Sequence, residues 1–525
     1  MQERTAKGVL VAAVTWIIIL GALAVAFKFF VYPSIRGKLQ DTTGSESQYK
    51  HAINLAADSF SGYCVFRSEA FRKQLKTAGI KLTVVNDKAD CAARAKALQK
   101  GTVQMAVFSL DSLIKTGAAL KEFPATIVMV IDETKGADAI VARKGAVGSL
   151  EDLNSPDARI VLTPDSPSEF LARIVVAHFS LPNLPEKWWV EADGAADVYR
   201  SFKAAKPNEK RAYALWEPYV SKALEQSDAA VLLDSSRLKG YIVDVLVVQR
   251  EFLKEQEDLV KQVVEAYFRT AYGYGRQDGG MAKLVKDDAA ETGTERLDDK
   301  LAEKVVRGIQ WKNTLENYAH FGLLSDQEAA GMQHLEDMIT NIADVLVKTG
   351  AVAGDPLQGK ASTLYYDKVL RSLRAESFHP GKSLNIIADM GNEGDLAQIR
   401  IEKALPKLSD AQWDSLAAVG TMNVEPISFA RGTARLNVNS QRELDELASH
   451  LKSWPSYYLL VAGHARAEGD VDANTALAQK RAEAAAEYLV SRGIDANRIK
   501  PKAAPAASSD AGEQSVSFVV GQVPY

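Results

Sequence analysis

The chain has 525 residues, 47% of them hydrophobic and 25% charged, and its 63 Lys and Arg against 67 Asp and Glu leave a formal charge of −4. That balance excludes the basic excess of a nucleic-acid surface, so no nucleic-acid partner is expected. Two cysteines, Cys64 and Cys91, exclude a disulfide scaffold and a cysteine-rich zinc site, and no cofactor is expected.

Val9 to Phe27 is nineteen residues without a charge. About twenty apolar residues cross a bilayer core, whereas the apolar part of a signal peptide is about seven to fifteen. Ala24-Val25-Ala26 imitates a cleavage site, but the length, and Phe29 to Tyr32 beyond Lys28, favour an uncleaved transmembrane helix. Arg4 and Lys7 before the span are answered by Lys28, Arg36 and Lys38 after it, so charge alone does not orient it.

From Gln48 to Gly350 strand and helix patterns alternate. Helices are predicted over Phe66–Ala78 and Ala89–Gly101, with strands at Ile80–Val85, Val103–Ser109, Thr126–Ile131, Ala139–Ala142 and Arg159–Thr163. A helix opens at Pro167 or Ser168, and Ala212–Trp216, Ala229–Leu233 and Ile242–Val248 read as later strands. Such alternation specifies an α/β fold with largely parallel sheets, whose ligands bind at the carboxyl ends of strands. Thr163 to Ser168 places hydroxyls and backbone N–H groups at a helix start, which is either an anion site or an N-cap. Cys64 and Cys91 each lie at the start of a predicted helix, leaving one disulfide or two buried thiols open.

In chain order, SGYCVFRSEAF, KALQKGTVQMAVFSLDSLI, GSLEDL, LWEPY and IVDVLVVQREFL are similar to the nitrate, sulfonate and taurine type of ABC-transporter substrate-binding protein. The resemblance implies two α/β lobes, a periplasmic-binding-protein type II domain, closing over a small solute. It implies cleft residues Ser61, Gly62 and Tyr63 at the first strand end, Ser109 and Asp111 at the next, and Asp132 after the third. From the second lobe it implies Thr163, Ser166, Ser168, Trp216 and Glu217.

Asp287–Lys304 reads as one solvated helix, Trp311–Asn317 and Met338–Lys348 as further helices, and Gly394–Leu405 and Asp410–Ala418 as two more. The C-terminal hundred residues alternate again. Glu425–Phe429 is a predicted strand, Ser440 with Glu443 a capping box opening a helix with Leu444, Leu447 and Leu451 on one face, and Tyr457–Ala462 the next strand. A helix over Asn474–Arg492 with Leu477, Tyr488 and Leu489 inward ends at Gly493, and Val516–Val520 closes the set.

Ser456 to Ile499, an apolar strand, a glycine-bounded loop and an amphipathic helix, resembles the OmpA-like peptidoglycan-binding domain. Gly463, His464, Asn474, Leu477 and Arg481 fall on the family's motif, and the resemblance implies that Arg481 holds the carboxylate of diaminopimelate by a paired contact. Arg466 stands where the family has the aspartate facing the ammonium of diaminopimelate, and Ala465 where it has threonine.

No H-E-x-x-H pair, G-x-S-x-G elbow or Walker-type loop occurs, so binding rather than catalysis is expected. The fold expected is α/β: a cytoplasmic stub and transmembrane anchor over 1–35, a two-lobed solute-binding domain over 48–350, a helical connector over 351–421 and an OmpA-like α/β sandwich over 422–525. The function expected is an inner-membrane, single-pass periplasmic solute-binding protein with a peptidoglycan-binding module, acting in envelope sensing or scaffolding with an envelope protein. Two alternatives are the binding component of an ABC importer with its permease, and a structural tether between membrane and wall.

Overall fold

The chain's longest fully buried strand explains its first layer. In the computed structural model, which describes residues 49–293, 296–329, 331–381, 399–400, 404–465, 469–504 and 516–523, Ala125–Thr134 is buried at all ten positions. A nearly continuous apolar run suits a strand covered on both faces. The expected span Val9–Phe27 lies outside the described residues. Among the described residues no helix is long and apolar enough to cross a membrane.

The first lobe begins with β1 (His51–Ala56), β2 (Ile80–Val85), β3 (Met105–Ser109) and β4 (Ala125–Thr134). From β4 the chain passes to the second lobe, built of β5 (Asp138–Arg143), β6 (Arg159–Leu162), β7 (Trp189–Glu191), β8 (Arg211–Trp216) and β9 (Ala229–Asp234). It then returns through β10 (Val243–Gln249) and β11 (Ile309–Trp311). The first sheet runs β11-β4-β10-β3-β1-β2 and the second β7-β6-β8-β5-β9. Two sheets joined by two crossovers, β4 to β5 and β9 to β10, make a two-lobed, periplasmic-binding-protein-like architecture. The sheets are mixed rather than largely parallel. β10 enters from the other lobe and runs antiparallel to β3 and β4, and β5 likewise to β8 and β9.

The crossovers are tied to each other. Ser235 Oγ accepts from Gly136 N at 2.8 Å and Asp138 N at 3.3 Å, and Thr134 N donates to Ile242 O at 3.0 Å.

Beyond β10 the chain is mostly helical. Where one helix is expected over Asp287–Lys304, two stand, Gly280–Thr292 and Asp299–Arg307. Gly293, at φ +71°, ends the first in a left-handed conformation that favours glycine, and Asp298 caps the second. Trp311 ends β11, and the helix expected from it starts later, at Thr314, with Asn313 and Glu316 as a capping box. The segment Ala361–Ala375 packs on the first lobe: Thr126 Oγ1 donates to Leu364 O at 3.0 Å, and Tyr366 N to Ile127 O at 2.8 Å. The helix expected over Gly394–Leu405 lies largely outside the described residues. Cys64 and Cys91 are free thiols.

The C-terminal sheet has the order β12-β15-β13-β14, formed by β12 (Ala417–Thr421), β13 (Tyr458–His464), β14 (Ile499–Ala504) and β15 (Val516–Gln522). The helix begun at Asp410 stops at Asp414, so its expected end is β12 instead. The strand expected at Glu425–Phe429 reduces to one bridge, Phe429 to Leu436. Asn437, not Ser440, caps the helix Val438–Lys452. Ser440 Oγ instead accepts from Ser428 N and donates to Ser428 O, so its hydroxyl fastens the preceding loop.

This module is seated on the second lobe, the second crossover and the helical part beyond them. Ser180 N donates to Thr421 O at 2.8 Å and Asn423 N to His178 O at 2.7 Å, joining it to the second lobe. Lys239 N, in the second crossover, donates to Ser453 O at 2.9 Å. Gln333 and Asn341, from the helical part that follows the first lobe, donate to Ser453 Oγ. Trp454 fills the centre of the junction, wholly buried.

Candidate functional site

A cavity of about 720 Å³ opens between the lobes, inside the roughly 300–1,000 Å³ usual for small-molecule sites. Of the residues proposed from sequence, Ser61, Tyr63, Ser109, Thr163, Ser166, Trp216 and Glu217 line it. Strand ends deliver them: Ser109 closes β3, Thr163 follows β6, and Trp216 closes β8. Gly62, Asp132 and Ser168 lie behind its wall, each for a different reason.

Gly62 is a packing residue. A Cβ there would come within 2.5 Å of Asp132 Oδ2 and 2.4 Å of the Phe60 ring. Its carbonyl accepts from Trp311 Nε1 at 2.8 Å. Asp132 is fully buried and the cross-strand neighbour of Asp244, with whose carboxyl its own interacts directly. Ser168, also fully buried, donates to Asp138 Oδ1 at 2.6 Å and so holds a residue that does line the cavity. Asp111 is buried in the helix Leu110–Leu120, and that burial pushes its carboxyl up to about 6.

Sequence reasoning named Glu217 but missed the buried acids of the cavity, Asp138 and Asp244. Asp244 lies in it, accepts from Tyr63 Oη at 2.8 Å, and is raised well above the usual carboxylate range by burial and by Asp132. Burial lifts Asp132 to about 7. Two buried carboxyls at cross-strand positions do not both ionise readily, so the pair holds a proton near neutrality. Burial also lifts Asp138 to about 6, against the pull of its Ser168 hydrogen bond. The signal was present: Asp244 interrupts the apolar run VDVLVV, and Asp138 opens DAIVA. A charge inside a strand that reads as buried marks a functional candidate.

The helix start at Ser166 is already satisfied. Ser166 Oγ accepts from Glu169 N at 3.1 Å and donates to Thr163 O, while Asp165 N donates to Glu169 Oε2 at 2.6 Å. The chain's own carboxylate thus occupies the place an anionic ligand would take. Arg94, also at the cavity, is 2% exposed and bound to Asp87 at 2.5 Å, to Asp58 at 3.0 Å and to Val107 O. Among the described residues no three His, Cys, Asp or Glu side chains form a metal-ion cluster.

In the C-terminal module, Gly463 is the penultimate residue of β13, which is pressed against a helix. A Cβ there would lie 2.0 Å from Ala478 O and 3.3 Å from Ala482 Cβ, so only glycine allows this approach. Asp470 caps that helix, Val471–Ser491, which therefore starts before Asn474. Ala478, Ala482, Ala485 and Leu489 form its buried face, while Leu477 and Tyr488 are half-buried. His464 Nε2 lies 2.8 Å from Ser517 Oγ, and burial lowers its pKa. Arg481 Nε donates to Thr433 O at 3.1 Å, and its guanidinium stands over the Phe429 ring at 5.2 Å. Asn474 lies at the start of the same helix, whose Arg481 is two turns on. Arg466 lies outside the described residues.

Residues 428–515 match the OmpA family. Among curated proteins, the peptidoglycan-associated lipoprotein of Rhizobium meliloti (strain 1021) is 37% identical over 81 residues, 15% of this chain and 46% of that protein. Its namesake from Brucella melitensis is 35% identical over 81 residues, 15% of this chain and 48% of that protein. The chain spans about half the length of the curated relatives it matches. Among solved structures, the aliphatic sulphonate binding protein SsuA of Escherichia coli aligns with a TM-score of 0.45 and 15% identity, over 65% of this chain and 97% of that one. The nitrate-binding protein NrtA of Synechocystis PCC 6803 aligns with a TM-score of 0.42 and 11% identity, over 62% and 88%. The two-lobed architecture follows from the strand order and the two crossovers.

Proposed function

We propose that the chain is a periplasmic solute receptor, anchored in the inner membrane at its N-terminus and holding peptidoglycan through its OmpA-like module, which acts in envelope sensing or scaffolding and catalyses nothing. The observation that carries this reading is the seat of the module. It touches the second lobe at His178 and Ser180, the second crossover at Lys239, and the helical part that follows the first lobe at Gln333 and Asn341. Any hinge motion of the lobes about the cavity strains those contacts, so solute and wall sites are linked through one bistable element. A free importer component has no use for such a seat. This favours sensing over delivery to a permease.

Linkage is reciprocal, which supplies the test. A calorimetric and thermal-shift screen against small solutes and muropeptides identifies a ligand, and sacculus binding is then measured with and without it. A solute that stabilises the protein, loses that effect in Trp216→Ala and changes sacculus affinity establishes the coupled receptor. Equal sacculus affinity with and without bound solute removes the sensing reading.

A further inference from the structure

The charge of the solute is written into the cavity wall. Five carboxylates, Asp58, Asp138, Asp165, Glu217 and Asp244, line it against two cations, Arg94 and Lys88. Arg94 spends its guanidinium on Asp87, Asp58 and Val107 O, and Lys88 is exposed at the rim. Asp165 is likewise spent, 2.5 Å from Lys115. The helix start that an anion would use is filled by Glu169. Asp138 and Asp244 stand apart: they sit where the two crossovers enter the sheets, 3% and 2% exposed, and no Lys or Arg pairs with either among the described residues. Beside Asp138 the Thr134 hydroxyl, 3% exposed and also at the cavity, closes no hydrogen bond of full geometry and lies within electrostatic reach of that carboxyl.

Buried carboxyls without a cation, with a poorly bonded hydroxyl beside one of them, are a site that lacks its positive partner. Phe60 and Trp216, on opposite lobes, supply apolar and π surface at the same cavity. We propose that the interlobe cavity binds a protonated amine, with the ammonium on the carboxylate of Asp138 and the organic body between Phe60 and Trp216. This rests on the cavity being the solute site. Aromatic faces beside carboxylates suit a cation on two grounds, charge-assisted hydrogen bonding and attraction to the ring quadrupole.

The experiment titrates the full-length chain, held in lipid nanodiscs, with ethanolamine, putrescine and phenylethylamine and, in parallel, with ethanesulfonate and nitrate. Each titration is run in two buffers of different ionisation enthalpy. The expected result is binding of one or more amines with proton release, since a cation beside Asp138 favours its ionised form. Asp138→Asn keeps the side-chain shape and the Ser168 contact, and weakens amine binding by about tenfold or more. Circular dichroism confirms its fold, and Glu217→Gln serves as a second variant. Binding of ethanesulfonate or nitrate but no amine overturns the charge assignment and leaves the cavity as a solute site. Amine binding that survives both Asp138→Asn and Trp216→Ala places the ligand elsewhere and overturns both readings, as does the absence of binding by every probe.

Discussion

Trp454 of the C-terminal module meets Phe179 of the second lobe edge-to-face, with ring centroids 5.5 Å apart. It also stands 5.8 Å from His178 and 5.5 Å from Tyr457, with Tyr241 of the second crossover bonded to His178 Nε2 at 2.9 Å. One indole therefore joins a lobe, a crossover and the module. Replacing a large buried aromatic by Ala costs about 3–5 kcal/mol. Trp454→Ala should lower the melting temperature and expose the junction around Ser453 to limited proteolysis, with the two lobes still folded. An unchanged digestion pattern would show that the module is held by other contacts.

The same junction carries an acid sensitivity. His178 and His450 face each other with ring centroids 4.6 Å apart. Burial keeps His178 well below its ordinary 6.5, aided by His450 and Lys348, and burial with Lys348 lowers His450 to about 4 against the opposing pull of Asp344. The unfolded chain takes up protons below 6.5 that the folded one refuses, so stability falls as pH drops from 6.5 toward 4. His450→Gln should flatten that decline in a series of denaturant titrations across the window. An equal slope in variant and parent would assign the acid sensitivity elsewhere.

Asp132 and Asp244 give the opposite slope. Burial lifts Asp132 from 3.8 to about 7, so the folded chain keeps a proton that the unfolded chain has lost between those values. Stability contributed by that proton is present at low pH and is lost as pH rises toward 7. Asp132→Asn removes the repulsion across β4 and β10 and should gain about 1 kcal/mol or more on the parent at neutral pH, while matching it more closely in acid. Chemical denaturation at both ends of the window measures the difference, and a variant weaker than its parent at neutral pH would mean that the carboxylate has a partner worth more than the repulsion.

Strand positions were legible because burial writes itself as apolar runs. Ile80–Val85 is the element expected, and β8, β9 and β10 fall within a residue or two of their predicted ends. The direction of β5 and β10 was not legible, since an antiparallel insertion leaves the same apolar run as a parallel one. Helix ends were misplaced where a side chain had a different task, as with Ser440, which binds Ser428 rather than its own helix. At the cavity, residues such as Trp216 were named by the resemblance of LWEPY to the substrate-binding family, and Trp216 closes β8. Asp138 and Asp244 were passed over because their meaning depends on which strands become neighbours. Gly463 shows the reverse case: its position in the pattern was evident, and the 2.0 Å approach of Ala478 O supplies the physical reason.

Arg481 carries the last prediction. Its Nε donates to Thr433 O and its guanidinium covers Phe429, contacts that fix the side chain on the face of the helix Val471–Ser491. The family resemblance implies that this guanidinium takes a carboxylate, and a paired contact from planar donors is one that Lys cannot reproduce. Arg481→Lys should therefore weaken sacculus binding almost as much as Arg481→Ala, about tenfold or more. Arg466 places a second positive charge at the sequence position where the resembling family carries an aspartate for the ammonium of diaminopimelate. Arg466→Asp should raise sacculus affinity, by several-fold at low salt and less at high salt, because charge interactions through water are screened over about 8 Å at physiological ionic strength. Pull-down with purified sacculi at two salt concentrations reads both effects. If Arg481→Ala and Arg466→Asp both bind as the parent does, peptidoglycan is not held at this helix.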